Sequence, residues 1–122
     1  RMLSSMSPTI VEDPEGNLYL IIGSPGGSTI ITTTAQIIMN VIDFGMDIED
    51  AVETPRFHHQ WLPDMIQIED QCFSSETIDA LKARGHNITL RGSIGEANCI
   101  QVEGNYMFGA ADSRRNSRAI GY

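Results

Sequence analysis

The sequence predicts a mixed α+β fold, and three observations lead to that prediction. The chain has 122 residues, the usual length of one domain, and we expect residues 1–122 to form a single domain. Strand-like apolar runs bounded by turn residues alternate with segments of helical periodicity. Hydrophobic residues make up 41% of the chain and charged residues 20%, which is the composition of a globular protein rather than a disordered one.

The first third of the chain predicts a β-hairpin followed by a helix. Residues 9–12 and 18–22 are strand candidates, and the turn residues between them contain Pro14, Gly16 and Asn17. The second strand is apolar throughout, so we expect it to be buried on both faces. Residues 29–44 have apolar side chains at helical spacing, which predicts one buried stripe. That stripe comprises Ile30, Ile31, Ala35, Ile38, Val41 and Ile42.

The rest of the chain predicts shorter elements of both kinds. Residues 47–53 form a helix candidate that Asp47 caps and Pro55 ends, and a second capped helix covers residues 76–83. We expect residues 56–63 to be irregular and the basic tail at residues 112–122 to be a loop. Strand candidates lie at residues 65–69, 87–90, 97–102 and 106–108. The order of the strands in a sheet cannot be predicted from these patterns.

The net charge and the length of the apolar runs disfavour some classes of partner. Sixteen acidic and eight basic residues give a net charge of −8, which disfavours binding to nucleic acid and to anionic membrane surfaces. No apolar run approaches the roughly 18 residues of a membrane-spanning helix, so we expect no membrane insertion by this segment. No signal peptide is visible. Because the chain begins at Arg1 and not at Met, we expect it to be a piece of a longer protein.

The segment GSPGGS, residues 23–28, is the strongest candidate site in the sequence. Glycines between a strand and a helix let the backbone approach a ligand, and free N–H groups at a helix start favour negative charge. The segment lacks the lysine of a phosphate-binding P-loop and the spacing of a dinucleotide fingerprint. The residues alone therefore leave two interpretations open, a tight turn and a site for an anion or an oxyanion.

Three other groups of polar residues have a structural and a functional interpretation. The hydroxyls of Ser4 and Ser5 either cap a turn or bind a carboxylate. The pair His58 and His59 has no zinc-binding pattern around it, which favours polar structural contacts and predicts no metal site. Arg114 and Arg115 favour a solvated tail or an internal ion pair over an anion site.

Cys72 and Cys99 form no CxxC pair, and we expect two unpaired thiols.

Several ungapped motifs, in one order, resemble the small subunit of the gamma-glutamyltranspeptidases over nearly the whole chain. They are LSSMSPTI at residues 3–10, GSPGGS at 23–28, NVIDFG at 40–45, PRFHHQWLPD at 55–64 and GAADSRR at 109–115, with a closing Gly-Tyr. Thr29 stands where many members have Arg, and Ser113 stands where Pro is common; both differences leave substrate preference open.

The resemblance implies part of an N-terminal nucleophile hydrolase fold, an αββα sandwich. It implies a precursor that cleaves itself into a large and a small subunit, with this chain as the C-terminal part of the small one. The expected activity is gamma-glutamyl transfer or glutathione hydrolysis through an acyl-enzyme on a threonine, without a cofactor. That threonine is absent from residues 1–122, so we expect this piece alone to be inactive. The expected location, by resemblance, is the periplasm or outside the cell.

The resemblance also assigns the site residues and leaves rival functions. Gly26 and Gly27 match the glycine pair whose N–H groups form the oxyanion hole, and Ser4 and Ser5 match the serine pair that binds the gamma-glutamyl group. The expected partners are the large subunit and small gamma-glutamyl compounds such as glutathione. The alternatives are a related amidase, either gamma-polyglutamate-processing or cephalosporin acylase-like, and a non-catalytic paralogue that acts as a binding subunit.

Overall fold

The computed structural model describes residues 4–121 and has the expected α+β class. Arg1, Leu3 and Tyr122, which the sequence interpretation used, lie outside the described residues. The strands are β1 (Thr9–Glu12), β2 (Leu18–Gly23), β3 (Phe57–His58), β4 (Ile66–Ile68), β5 (Ile88–Leu90), β6 (Asn98–Glu103) and β7 (Tyr106–Ala111). The helices are α1 (Ile30–Ile42), α2 (Ile48–Glu53) and α3 (Ser75–Ala83), with a short 3₁₀ helix at Gly27–Thr29.

The backbone forms two compact units. The first unit runs to Glu53 and resumes at Gly95, and the second unit is the intervening segment Thr54–Ile94. In the part of the chain that the structure describes, no helix is both long and apolar enough to cross a membrane.

The first unit is built on a four-stranded antiparallel sheet in the order β1-β2-β6-β7. The predicted hairpin of β1 and β2 is confirmed, with Thr9 opposite Ile22 and Val11 opposite Leu20. Helices α1 and α2 pack with the sheet around one apolar core. Its buried members are Leu20, Ile22, Ile37, Val41, Ile48, Ala51, Val52, Ala97, Cys99 and Ala110. This packing fixes the end of β2 and the start of α1, between which the GSPGGS segment lies.

Two predictions about burial in the first unit are wrong. Strand β2 is not buried on both faces: Leu20 and Ile22 are buried, whereas Tyr19 and Ile21 are only half-buried. Alternation of this kind is typical of an antiparallel sheet with one face packed on helices. Helix α1 also buries a different stripe from the one predicted. It buries Ile30, Thr33, Thr34, Ile37 and Val41, while Ile31, Ala35 and Ile42 are exposed.

The second unit has a three-stranded sheet in the order β3-β4-β5. Strands β4 and β5 are parallel, as a connection through helix α3 allows. The predicted helix cap is confirmed, because the Ser74 Oγ accepts a hydrogen bond from the Thr77 N–H at 3.2 Å. The prediction that residues 56–63 are irregular is wrong in part, since Phe57 and His58 pair with β4 as strand β3.

Candidate active site

The GSPGGS segment leads from β2 through the 3₁₀ helix into α1, and its residues 25–28 are exposed. Gly26 has φ +140° and Gly27 has φ +59°, and both values favour glycine over residues with side chains. Among the described residues, neither Ser28 nor Thr29 caps α1 with its hydroxyl. The loop therefore presents backbone groups rather than side chains at the start of the helix.

The carbonyl groups of the two glycines are both hydrogen-bonded inside the first unit. The Gly26 carbonyl accepts from the Thr29 N–H at 3.2 Å and from the Thr29 Oγ1 at 3.0 Å. The Gly27 carbonyl accepts from the Ile30 N–H and from the Ser5 hydroxyl. Among residues 4–121, neither the Gly26 N–H nor the Gly27 N–H has a hydrogen-bond partner. Two adjacent unpaired donors at a helix start are an arrangement that favours a negatively charged oxygen.

Only glycine fits at position 26. A Cβ atom there would lie 2.4 Å from the Thr29 Oγ1 and 3.5 Å from the Gly95 Cα. At Gly27 a Cβ would meet nothing within 4 Å. Close packing and a positive φ therefore both require glycine at position 26, whereas only the positive φ favours glycine at position 27.

Gly95 is a part of this loop's surroundings that sequence reasoning missed. Its φ is +71°, and a Cβ there would lie 2.5 Å from the Thr33 Oγ1 and 3.0 Å from the Ser24 Oγ. Its position just before β6 carries no motif in the sequence. Only the tertiary packing shows that it lies against the donor loop.

The structure brings one of the two predicted serines to the loop. The Ser5 hydroxyl donates to the Gly27 carbonyl. The Ser4 hydroxyl accepts a local hydrogen bond from the Met6 N–H at 3.2 Å, which is the geometry of a short polar turn. Ser5 thus links the segment before β1 to the candidate oxyanion site, and Ser4 lies next to it in the chain.

The histidine pair makes polar contacts within the second unit, as the structural interpretation predicts. His58 is buried, and its Nε2 lies 3.1 Å from the Gln60 Oε1. The His59 Nε2 lies 3.3 Å from the Asp64 Oδ1, and its Nδ1 accepts from the Trp61 N–H at 3.2 Å. Within residues 4–121, no group of three or more His, Cys, Asp or Glu side chains is placed to hold a metal ion.

The arginine pair forms the predicted internal ion pairs. The Arg114 Nη1 lies 3.1 Å from the Oδ1 of Asp112, a fully buried carboxylate. The Asp112 Oδ2 accepts from the Ala97 N–H at 2.8 Å. The Arg115 Nε lies 3.5 Å from the Glu96 Oε2. The tail after β7 is therefore fastened to the segment that precedes β6.

Both cysteines are free, and the environment of Cys72 makes it a poor nucleophile. Burial, with a smaller contribution from the charge of Glu69, raises the pKa of the Cys72 thiol from its ordinary 9.0 to about 11. Since the thiolate is the reactive form, we expect alkylation of Cys72 by iodoacetamide at pH 8 to be about 100-fold slower than in unfolded chain. Peptide-resolved mass spectrometry with and without urea measures this ratio, and equal rates would contradict the raised pKa.

The fold corresponds to that of a known class of enzymes. The chain superposes on the transpeptidase enzyme CapD of Bacillus anthracis with a TM-score of 0.81 at 25% identity, over 100% of this chain and 74% of that one. Its fold is that of part of an N-terminal nucleophile hydrolase, in which α1 with α2 and the four-stranded sheet supply a helical layer and a sheet layer.

The family follows from the sequence. The profile of the gamma-glutamyltranspeptidase family matches residues 1–122, and the chain belongs to that family. It is 46% identical to the glutathione hydrolase proenzyme of Escherichia coli over 115 residues, which are 93% of this chain and 20% of that protein. It superposes on a Helicobacter pylori gamma-glutamyltranspeptidase variant with a TM-score of 0.88 at 45% identity, over 94% of this chain and 63% of that one. The chain thus spans about a fifth of the curated Escherichia coli relative.

Proposed function

We propose that the intact protein transfers or hydrolyses gamma-glutamyl groups, and that this chain supplies its oxyanion hole. The observation that carries the proposal is the pair of unpaired N–H groups at Gly26 and Gly27 on an exposed loop. Family membership supports the substrate class, because relatives at up to 46% identity are glutathione hydrolase proenzymes. The more distant likeness to CapD and to a cephalosporin acylase at 23% identity supports the fold more than a rival substrate.

The chemistry needs a nucleophile, which this proposal places outside residues 1–122. In the family reaction, the hydroxyl of an upstream threonine attacks the gamma-carbonyl carbon, and the threonine's own amine takes the hydroxyl proton. The carbonyl oxygen becomes an oxyanion, which the Gly26 and Gly27 N–H groups stabilise. The tetrahedral intermediate then expels the leaving amine, which receives the proton, and an ester remains on the enzyme. Water or an acceptor amine attacks that ester and releases the glutamyl group.

The two donors act because the charge appears only as the carbonyl is attacked. A donor aimed at the developing oxyanion stabilises the transition state more than the ground state, and one such donor contributes about 3–4 kcal/mol. The backbone suits this task, since the hydrogen bonds of the Pro25 and Gly26 carbonyls fix the two peptide planes that carry the Gly26 and Gly27 N–H groups before substrate binds.

Ser4 and Ser5 bind the alpha-carboxylate end of the substrate in this proposal. A carboxylate only accepts hydrogen bonds, so each serine must donate its single hydroxyl hydrogen to it. The Ser5 hydroxyl, which donates to the Gly27 carbonyl in this structure, therefore rotates when substrate binds. Substrate binding and the orientation of the Gly27–Ser28 peptide, which adjoins the two proposed donors, are thus coupled through one hydroxyl.

The proposal extends to the partner subunit, the cofactor and the location of the protein. We propose that the chain assembles with the large subunit of its own precursor, that it uses no cofactor, and that the protein works in the periplasm or outside the cell. The proenzyme nature of the relatives supports a precursor.

The first test separates the piece from the intact protein. We expect the 122-residue chain alone to give no turnover of gamma-glutamyl-p-nitroanilide, because the nucleophile lies outside it. The intact self-cleaved protein, prepared in parallel, should release p-nitroaniline and lose that activity when the threonine at its cleavage site becomes alanine. Turnover that scales with the purified 122-residue chain, or an inactive intact protein, would contradict the proposed function.

A further inference from the structure

We propose that Ser24 is a positioning residue for the Gly26 N–H and that Glu96 holds Ser24 in place. This inference rests on the proposed function of the loop and adds residues to it. It concerns how the donor loop keeps its geometry, since the loop is exposed and contains glycines that permit many conformations.

The first step is the hydrogen bond from the Ser24 hydroxyl to the Pro25 carbonyl, at 2.7 Å. The Pro25 C=O and the Gly26 N–H belong to the same planar peptide group and point in opposite directions. A hydrogen bond that fixes the direction of the Pro25 carbonyl therefore also fixes the direction of the Gly26 N–H. Proline at position 25 adds stiffness, because its ring restricts φ.

The second step is the group that holds the Ser24 hydroxyl. The Glu96 N–H donates to the Ser24 Oγ at 3.2 Å, across 72 residues of chain. The hydroxyl thus accepts one hydrogen bond and donates another, which selects one rotamer and one direction for its hydrogen. Gly95 permits this approach, because a Cβ there would lie only 3.0 Å from the Ser24 Oγ.

The third step is the anchoring of Glu96 itself. Its Oε1 accepts from the Ser117 hydroxyl at 2.5 Å, and its Oε2 lies 3.5 Å from the Arg115 Nε. The next residue, Ala97, donates its N–H to the buried Asp112 carboxylate at 2.8 Å. The tail that follows β7 therefore holds the segment before β6 at Glu96 and at Ala97. The Glu96 N–H that donates to Ser24 is thus fixed in position.

The test measures steady-state kinetics of the intact enzyme with Ser24→Ala. We expect kcat to fall about 10-fold with KM changed less than about 2-fold, because a misdirected donor weakens the transition state and not the bound substrate. Ser24→Thr, which keeps the hydroxyl, should recover most of the loss. The matched control is Ser28→Ala in the same loop: Ser28 is exposed, and within residues 4–121 its hydroxyl makes no hydrogen bond.

The role of Glu96 is tested by combining variants. Glu96→Ala frees the segment before β6 from the tail and should lower kcat about 3- to 10-fold. Glu96→Gln should lower kcat less, because its amide oxygen still accepts from the Ser117 hydroxyl. The double variant Ser24→Ala with Glu96→Ala should be no slower than Ser24→Ala alone, since both changes act through one hydroxyl.

The outcomes separate this inference from the proposed function. An unchanged kcat for Ser24→Ala in an active wild-type background overturns the inference and leaves the oxyanion proposal standing. Equal losses for Ser24→Ala and Ser28→Ala, or fully multiplicative losses in the double variant, also overturn it. An intact wild-type enzyme without gamma-glutamyl activity overturns the proposed function instead.

Discussion

Replacing Gly26 with alanine in the intact enzyme is expected to lower kcat by about 100-fold or more, the loss measured when one oxyanion donor is removed. An alanine Cβ at position 26 would lie 2.4 Å from the Thr29 Oγ1, whose hydrogen bond fixes the Gly26 carbonyl. The φ of +140° is also unfavourable for any residue with a side chain. The loop must move to accept alanine, and the two proposed donors then change direction.

Two matched variants separate this effect from simple backbone strain. Gly27→Ala places its Cβ in open space at φ +59°, so we expect a smaller loss, from a strain of about 1–3 kcal/mol. Gly16→Ala carries a similar strain at φ +85° in the β1–β2 turn, away from the loop, and should leave kcat unchanged. A self-cleaved Gly26→Ala enzyme with kcat near that of the wild type would show that the Gly26 N–H is not an oxyanion donor.

Removing both hydroxyls with Ser4→Ala/Ser5→Ala is expected to abolish the preference for substrates that carry an alpha-carboxylate. One hydrogen bond to a charged group contributes about 1.5–3 kcal/mol, so each hydroxyl is worth about 10- to 150-fold in binding. The preference is measured as the ratio of kcat/KM for a gamma-glutamyl amide to that for the matching amide without the alpha-carboxylate.

The single variants should differ from one another. Ser5→Ala also removes the hydrogen bond to the Gly27 carbonyl, so we expect it to lower kcat as well as binding, whereas Ser4→Ala should act mainly on KM. Ser7→Ala is the control, because the Ser7 hydroxyl makes only a local contact with the Ser5 carbonyl at 3.1 Å. If the double variant keeps the wild-type preference, the serines cap a turn and do not bind substrate.

Local patterns predicted most of the elements, because turn and cap residues act over a few positions. The bounds of β1 are those predicted, and the caps at Asp47 and Ser74 form as expected, with the Asp47 Oδ1 accepting from the Asp50 N–H at 2.9 Å. The buried face of α1 was not predictable in this way. Thr33 and Thr34 are buried and Ile31 is exposed, an arrangement that depends on what packs against the helix and not on side-chain polarity alone.

The candidate site was predictable only in part. The glycines at 26 and 27 mark a backbone site, but no local pattern shows that the Gly27 carbonyl accepts a hydrogen bond from the distant Ser5 hydroxyl. Gly95 and Glu96 reach the loop through tertiary contacts with residues about 70 positions earlier, which no local pattern encodes.

The most direct measurement is a crystal structure of the intact protein with a boronic acid analogue of a gamma-glutamyl substrate. Its boron accepts the nucleophile's oxygen and becomes a tetrahedral anion that resembles the intermediate. We predict one boron-bound hydroxyl within about 2.7–3.1 Å of both the Gly26 and the Gly27 nitrogens. A tetrahedral adduct whose oxygens all lie beyond hydrogen-bond distance of both nitrogens would contradict the central claim that this loop is the oxyanion hole.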